Sequence, residues 1–461
     1  MEKVTNKKRV MFIVLLGSFM ALLAETLFNN ALTSIMDTFK VNQSTVQWMS
    51  TGYLLIVGLM IPISSWVFQN FKTKNNYIFM IVTFLIGSLI GLFAPNFGIL
   101  LTGRFIQAIA TGLLMPFVQN IILLLFPPEK RGLALGITGL VIALGPTVGP
   151  TLSGIILEYF GWRDLFLTLS IISAIVLALS ILFMNNINEV KKSKFDLPSV
   201  SMSFIGFGSI LYAFSEIGNT GKINFTISAL SIIGILFIGL FLYRQTKLSK
   251  PIINISIFKN FNFNLTTILS TLSNVAMVGM ELIMPLYLQN GRMISAVLTG
   301  LIMMPGAILT GIFNPISGWI YDKIGVKKIS IIGFSLLLIG TLPMIWFSSG
   351  TSLFIICCSY ALRMVGISLV MMNTFTDGIN SLPGEYETDG NAASSTLRQI
   401  GGSIGTALSM TLITLGINNS GSDNNLISLN SGYHLGFLLM LCIAIIGLII
   451  SIFLNNDKIG K

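Results

Sequence analysis

The chain has 461 residues, of which 53% are hydrophobic and 10% are charged. A soluble domain carries roughly 25% charged residues on its wet surface, so this composition excludes an ordinary soluble globular protein. The net charge is +10, but the distribution of the basic residues described below argues against a nucleic-acid-binding protein.

Fourteen apolar runs follow one another along the chain, and each is long enough to cross a bilayer core of about 30 Å. Backbone polar groups in lipid have to be satisfied within their own segment, so we predict that the runs are helices. The first run is too long for the core of a signal peptide, and we expect no cleaved leader. The runs begin near Arg9, Thr45, Asn76, Gly98, Arg131, Arg163, Leu197, Asn224, Phe261, Ser295, Lys327, Thr351, Asn391 and Tyr433.

The positions of the Lys and Arg residues support this map. If both termini are cytoplasmic, the cytoplasmic segments hold 20 of the 27 Lys and Arg residues, the outer segments hold four, and three lie within spans. Cytoplasmic loops of membrane proteins show this excess, and losing one span would destroy the pattern. The basic residues therefore indicate topology and contact with anionic lipid. Frequent Asn, Ile and Lys are typical of an AT-rich bacterial genome, so we expect a bacterial cytoplasmic membrane.

An internal repeat divides the chain. Trp66–Lys74 aligns with Trp319–Lys327, and Arg104 and Arg363 both lie early in the fourth span of a six-span group. Duplicated halves are common in transporters, with the substrate path at their interface. We predict an all-α polytopic fold of two six-helix halves with an inserted two-helix hairpin. The predicted boundaries are 1–190 for the N-terminal half, 191–255 for the hairpin and 256–461 for the C-terminal half.

Two acidic residues lie inside predicted spans. Glu25 is near the middle of the first span, and Glu281 is about two thirds of the way along the span that begins near Phe261. A charge at mid-bilayer costs roughly 2.5 kcal/mol or more and usually marks a functional site. Because a low dielectric favours a neutral carboxyl group, such a residue can bind and release a proton. We predict that both couple to protons and contact the substrate. The alternatives are a structural acid paired with a neighbouring helix for Glu25, and an acid reaching water for Glu281.

Polar neighbours on the same helix faces extend this predicted site. Asn29 lies four residues after Glu25, and Asn274 and Met277 share the face of Glu281. Arg104 must find partners within the bilayer. It either acts on a carboxylate during proton coupling or forms a structural ion pair. Gln107, one turn later, would extend its network into the predicted substrate site.

Two segments are candidates for gating. In the fifth span, Gly145 and Gly149 form a small-residue face for close helix approach. Pro146 and Pro150 in the same span remove backbone donors and bend a helix. This span predicts either tight packing alone or a bend that gates the path.

The second candidate is the mixed-charge loop that starts at Asp322. It either forms ion pairs between helices that hold one conformation, or it is a solvated basic loop. Gln69 occupies the matching position of the first half and lacks the carboxylate.

The sequence offers no cofactor chemistry. The three cysteines lie in apolar runs without disulfide or metal spacing. A P-loop is absent, so the chain is not itself an ATPase. We expect no metal, no cofactor besides the proton as coupling ion, and no enzymatic activity.

These motifs resemble those of the fourteen-spanner drug:proton antiporters of the major facilitator superfamily, over nearly the whole chain. Gly145–Pro150 with Gly154 is similar to the antiporter signature, and Arg104, Gln107 and Gly112 resemble the fourth-span motif, with Ala108 in place of a usual glycine. Other similar segments are Gly318–Lys328 with Gly325 in the loop motif, Asn391–Ala407 with Arg398, and Tyr287–Gln289 with Ala296–Gly300.

The sequence departs from the family pattern in two places. Glu25 stands where an aspartate is usual, which preserves the charge. Ser65, Gln69 and Lys72 replace the usual residues of the first loop motif. This change speaks against a gating role on that side and leaves Asp322 as the intact copy.

The resemblance implies a monomeric exporter of hydrophobic, often cationic drugs or antiseptics, driven by proton antiport through alternating access. Gly318, Asp322, Gly325 and Arg398 would then belong to its gating motifs. Three alternatives stay open: export of an endogenous lipid, fatty acid or metabolite by the same fold, uptake in place of export, and a membrane scaffold or sensor without transport.

Overall fold

The computed structural model describes residues 7–190, 193, 195–220, 223–248, 251–348, 350–419 and 425–455. Across these residues the regular elements are all helical. Thirteen helices are long and apolar enough to cross a bilayer, and a bent pair counted as one span makes fourteen. The predicted all-α polytopic fold is therefore confirmed.

The spans are numbered α1 to α14 in chain order. The first six are α1 (Lys7–Leu27), α2 in two segments (Trp48–Met60 and Ser64–Asn70), α3 (Thr73–Leu92), α4 (Phe97–Leu125), α5 (Arg131–Tyr159) and α6 (Trp162–Phe183). The next two are α7 (Leu197–Thr220) and α8 (Phe225–Lys247). The last six are α9 (Phe261–Leu286), α10 (Ala296–Ile324), α11 (Val326–Thr341), α12 (Leu353–Asn380), α13 (Glu387–Asn419) and α14 (Asn425–Ile452).

Short helical segments complete the chain. Two α-helices, Leu32–Phe39 and Gln43–Val46, join α1 to α2. The remaining short turns are Asn29–Ala31, Pro128–Lys130, Ile255–Lys259, Tyr287–Gly291, Leu342–Trp346 and Gly384–Tyr386. Because consecutive spans run in alternate directions, α5 and α13 begin at the same end of the bundle as α1, and α2, α10 and α12 end there. This end is called the Lys7 end.

The second span differs from its prediction because it is broken. Its two segments meet at an angle of 52°, and Pro62 lies in the three-residue break between them. Proline removes a backbone donor and is a common cause of sharp kinks. Hydropathy along this run is continuous and gave no sign of the break.

Two large apolar clusters form the core. One is built mainly from α1 to α6, and residues of α9, α12 and α13 join it near the Lys7 end. The other is built from α9 to α14. The predicted boundaries at 190 and 255 stay a prediction.

The inserted pair α7–α8 lies against the seam between the two six-helix groups. The Tyr212 ring on α7 stacks on Trp48 of α2, with ring centroids 5.9 Å apart. Ala213 of α7 and Ala407 of α13 share a small buried cluster. A Cβ atom at Gly58 would lie 2.5 Å from Leu211 Cδ1, so a larger residue where α2 and α7 approach would displace the Leu211 side chain. Helix α7 therefore touches both groups.

An ion pair holds the two ends of this hairpin together. Asp196, just before α7, accepts hydrogen bonds from Arg244 Nε at 2.8 Å and Nη2 at 2.7 Å, near the end of α8. Hydrogen bonds from Arg244 lower the pKa of Asp196 to about 2. An unfolded aspartate has a pKa near 3.9, so the pair stabilises the fold fully above about pH 4 and loses its effect as the pH falls towards 2.

We expect Asp196→Asn to lower the thermal unfolding midpoint of the detergent-solubilised protein at pH 7. The change should be small because the pair is partly exposed, and it should shrink as the pH falls from 4 to 2. Arg244→Gln should give the same loss, and the double variant should lose no more than either single one. A midpoint difference that did not depend on pH would show that the carboxylate charge is not responsible.

Candidate functional site

A cavity of about 1280 Å³ lies between the two six-helix groups. Its wall is mostly apolar and comes from α1, α2, α4 and α5 on one side and from α9, α10, α12 and α13 on the other. Leu211 and Ser215 of α7 complete it at the seam. The space is large enough for a drug-sized ligand, since ligand sites typically occupy about 300–1,000 Å³.

Both predicted acids line this one cavity. Glu25 faces it from α1 and is half-buried, and Glu281 faces it from α9 with an exposed side chain. Their charges are close enough to repel each other. The structure thus brings together two carboxyl groups that are 256 positions apart in the sequence, one from each six-helix group.

The other predicted ligand contacts divide into three cases. Asn274 and Met277 line the cavity beside Glu281. Gln107 is fully buried and donates a hydrogen bond to Ser88 Oγ at 2.7 Å, so it lies between α3 and α4, behind the cavity wall. The side chain of Asn29 lies outside the described residues.

Arg104 is buried behind Glu25. Its Nη1 atom donates to the backbone oxygen of Ala24 at 3.3 Å and to Gln107 Oε1 at 2.9 Å. The guanidinium also lies over the Tyr53 ring, 4.0 Å from its centroid. It is close enough to attract the charge of Glu25, so it can stabilise the ionised carboxylate without a direct bond.

The second six-helix group repeats this arrangement. Arg363 Nη2 donates to the backbone oxygen of Ala276 at 2.5 Å, and its Nε donates to Thr341 Oγ1 at 3.2 Å. The charges of Arg363 and Glu281 also attract each other. Each group therefore places an acid on its first helix and a buried arginine on its fourth. The sequence repeat aligned Arg363 with Arg104, but it did not indicate that Arg363 would lie near Glu281.

The two groups are bonded to each other at the Lys7 end. Arg131, at the start of α5, donates to both carboxylate oxygens of Glu387 on α13, at 2.8 and 3.0 Å. Asp322, near the end of α10, accepts hydrogen bonds from the backbone amides of Gly132 and Leu133, each at 3.1 Å. Asp322 therefore binds the first turn of α5, where the helix dipole favours a negative charge.

The altered first loop motif also bridges the two groups. Ser65 Oγ and Gln69 Nε2 both donate to Asp389 Oδ1 on α13, at 2.5 and 3.0 Å. The backbone amide of Asn254 donates to the other oxygen at 3.1 Å. At this first loop motif, the carboxylate is supplied by α13 of the other six-helix group and not by the motif itself. Asp389 is not among the predicted site residues, and the signal in the sequence is that Ser65 and Gln69 are both hydrogen-bond donors.

Glycines allow α5 and α10 to cross closely near the Lys7 end. A Cβ atom on Gly318 would lie 2.1 Å from the backbone oxygen of Gly132. One turn further along α5, a Cβ on Gly136 would lie 2.5 Å from the backbone oxygen of Asn314. Gly325 then ends α10 with φ of 80°, a conformation that favours glycine.

The remainder of α5 packs on α1. A Cβ on Gly145 would lie 2.6 Å from Leu22 Cβ, and one on Gly149 would lie 2.1 Å from Thr26 Oγ1. The backbone oxygen of Pro150 accepts a hydrogen bond from Asn30 at 2.9 Å. Helix α5 runs as one element across both prolines, and the side chain of Pro146 lies outside the described residues. The predicted signature therefore packs beside Glu25.

The cavity faces the end opposite Lys7. Its lining continues to Ile155 on α5 and to Val297 on α10, both exposed and both near that opposite end. A Cβ atom on Gly154 or Gly300 would meet no atom within 4 Å. Helices α5 and α10 thus touch near the Lys7 end and diverge towards the other, so the structure shows one side closed and one side open.

Among the described residues, no group of three or more His, Cys, Asp or Glu side chains could hold a metal ion. The polar groups that line the cavity are carboxyl, guanidinium, amide and hydroxyl groups.

Comparison with known proteins gives a consistent result. The model of the Major Facilitator Superfamily matches residues 14–406. The lincomycin resistance protein LmrB of Bacillus subtilis (strain 168) is 36% identical, over 98% of this chain and 96% of that protein. The riboflavin transporter RibZ of Clostridioides difficile (strain 630) is 28% identical, over 86% of each. The proton:xylose symporter XylE has the same fold, with a TM-score of 0.65 and 14% identity over 98% of this chain and 96% of that chain.

Proposed function

The chain belongs to the Major Facilitator Superfamily of membrane transporters, and from this premise we propose that it exports hydrophobic, often cationic compounds in exchange for protons. The protein is a multi-span membrane transporter and not an enzyme. The proposal adds the direction of transport, the substrate class and the coupling ion.

The observation that carries the proposal is the pair Glu25 and Glu281 in one apolar cavity. Apolar walls suit a lipophilic molecule, and a carboxylate attracts a cation strongly where the dielectric is low. The same carboxyl group can hold either a proton or the cation. Competition between the two at Glu25 therefore provides a physical basis for exchange.

The proposed cycle follows from the orientation of the two ends. We place the Lys7 end in the cytoplasm, because that side carries most of the Lys and Arg residues. The described conformation then faces outwards. In the inward-facing state a deprotonated Glu25 would draw in the substrate cation. In the outward-facing state a proton from outside would displace the cation, and the protonated carrier would return.

Similarity to a lincomycin resistance protein over nearly the whole chain supports drug export. Similarity to a riboflavin transporter favours a second candidate function, transport of an endogenous metabolite by the same fold. The two candidates differ in substrate and share the cavity.

Proton release from inverted membrane vesicles distinguishes these candidates. The vesicles are acidified inside by respiration, and a pH-sensitive dye reports the gradient after ethidium, lincomycin or riboflavin is added. We expect ethidium or lincomycin to dissipate the gradient only in vesicles that contain the protein. A response to riboflavin alone would favour the second candidate, and correctly inserted protein that responds to no cation would contradict the proposal.

A further inference from the structure

We propose that Arg398 forms a second subsite in the cavity, which binds an anionic group of the substrate. The preferred cargo would then be a lipophilic zwitterion whose amine lies near Glu25 and Glu281. This inference rests on the proposed function, because it assumes that the cavity binds the transported molecule.

Arg398 lies on α13, lines the cavity and is 7% exposed. Its Nη2 atom donates to Ser395 Oγ at 3.0 Å. Its guanidinium lies over the Phe375 ring, 4.5 Å from the centroid. The Nη1 atom has no hydrogen-bond partner among the described residues. A guanidinium carries five N–H donors, and at Arg398 the buried Nη1 atom leaves donors of this group unsatisfied next to the cavity.

Three other buried arginines show that this protein usually places an acidic side chain near such a charge. Arg131 binds a carboxylate directly, and the charges of Arg104 and Arg363 interact with Glu25 and Glu281 respectively. Among the described residues, no acidic side chain contributes a comparable interaction at Arg398. A buried charge without a counter-ion is strongly unfavourable. An anionic group that enters the cavity would supply the missing charge.

The neighbours of Arg398 favour a site built for this purpose. Asn274 Nδ2 on α9 donates to the backbone oxygen of Arg398 at 2.7 Å, which fixes this part of α13 against α9. Ser395 Oγ, which accepts from Arg398, also contacts Gln119 Oε1 at 3.3 Å. Both Gln119 and Ser395 line the cavity. The arginine is therefore positioned by bonds from two helices.

The distance between Arg398 and Glu281 determines which substrates could contact both side chains. Glu281 follows Asn274 by seven residues on the same helix, a separation of roughly 10 Å along the axis. The backbone oxygen of Arg398 accepts a hydrogen bond from Asn274, and its guanidinium extends towards Ser395, one turn nearer the Lys7 end. A substrate that contacts both charges must therefore separate its anionic group from its amine by roughly 10 Å or more. Fused-ring drugs with a carboxylate at one end and a piperazine at the other have this chemistry.

The test compares norfloxacin, a zwitterion, with its methyl ester, which keeps the amine and loses the carboxylate. Wild type and Arg398→Gln are reconstituted in proteoliposomes, and transport of both compounds and of ethidium is measured as substrate-driven proton movement. We expect KM for norfloxacin to rise about tenfold or more in the variant, the size expected for losing a charge-assisted hydrogen bond. KM values for the ester and for ethidium should rise by a clearly smaller factor than the KM for norfloxacin.

A binding measurement separates positioning from folding. Equilibrium dialysis of both compounds against detergent-purified protein should show the same selective loss. If Arg398→Gln does not fold, Arg398→Lys is measured in its place. Lysine keeps the positive charge but lacks the planar guanidinium that can donate two parallel hydrogen bonds to a carboxylate. Arg398→Lys should weaken norfloxacin binding by a smaller factor than Arg398→Gln does, and it should weaken binding of the ester less than binding of norfloxacin.

The outcomes are distinguishable. Equal losses for all three compounds, or no change for norfloxacin, would overturn the subsite and leave antiport intact. A wild-type protein that moves ethidium but does not bind norfloxacin would also overturn it. A wild-type protein that moves no cation would contradict the proposed function itself.

Discussion

Replacing Glu25 with glutamine should reduce substrate-driven proton release to the background of vesicles that lack the protein. Glutamine keeps the size and hydrogen-bonding ability of the side chain but cannot exchange a proton near neutral pH. The measurement is the dye response of inverted vesicles to ethidium, with the amount of inserted protein matched between samples. Because Glu25 lines the cavity while Arg104 lies behind it, the change removes the titrating group and keeps the surrounding packing.

Two variants control this experiment. Glu25→Asp keeps a carboxyl group and should retain proton release. Asp37→Asn removes an exposed acid on the short helix Leu32–Phe39, outside the cavity wall, and should match wild type. If Glu25→Gln still released protons at the wild-type rate, coupling at Glu25 would be ruled out, and Glu281→Gln would be the next variant to measure.

A single methyl group at Gly318 should prevent the Lys7 end from closing. The new Cβ would lie 2.1 Å from the backbone oxygen of Gly132, an atom that cannot rotate away. Overpacking of this kind typically costs about 1–3 kcal/mol, which would shift the balance between the two conformations by roughly 5–150-fold. We expect Gly318→Ala to lose export and to favour the conformation that is open at the Lys7 end.

A reporter cysteine measures this shift. In protein lacking the three native cysteines, Leu301→Cys places a thiol on the exposed cavity wall. Its reaction with a membrane-impermeant maleimide, added from outside, should slow in Gly318→Ala. Gly311→Ala lies on the same helix with no atom within 4 Å of its Cβ, and it should label as wild type does. Equal labelling in both glycine variants would show that the α5–α10 crossing does not control closure.

The helices were largely predictable because a bilayer requires long apolar runs. All spans except the last two begin within three residues of their predicted positions. Helix α13 begins at Glu387, before the predicted Asn391, and α14 begins at Asn425, before the predicted Tyr433. Hydropathy marks where a segment becomes apolar, whereas a helix starts wherever its backbone bonds begin. Hydropathy therefore does not detect a first helical turn that is polar.

The site was predictable only in part. Glu25 and Glu281 stood out because acids within spans are rare. Helix periodicity placed Gln107 on a particular face but could not show that this face meets α3 at Ser88. The bonds from Ser65 and Gln69 to Asp389 join residues more than 300 positions apart, and no local pattern encodes such a partnership. Contacts that close one end of a transporter depend on how its halves meet.

The position of α7 limits how the two six-helix groups can move. Since α7 touches both α2 and α13, any rotation between the groups must slide one of these contacts. On the α2 side, Tyr212 stacks on Trp48 and Leu211 fits over Gly58, which resists slipping. On the α13 side, Ala213 and Ala407 share a cluster with the larger Ile217, and α7 packs along more of α13 than of α2. Each transport cycle must therefore break and remake the packing of α7 against at least one of these two helices.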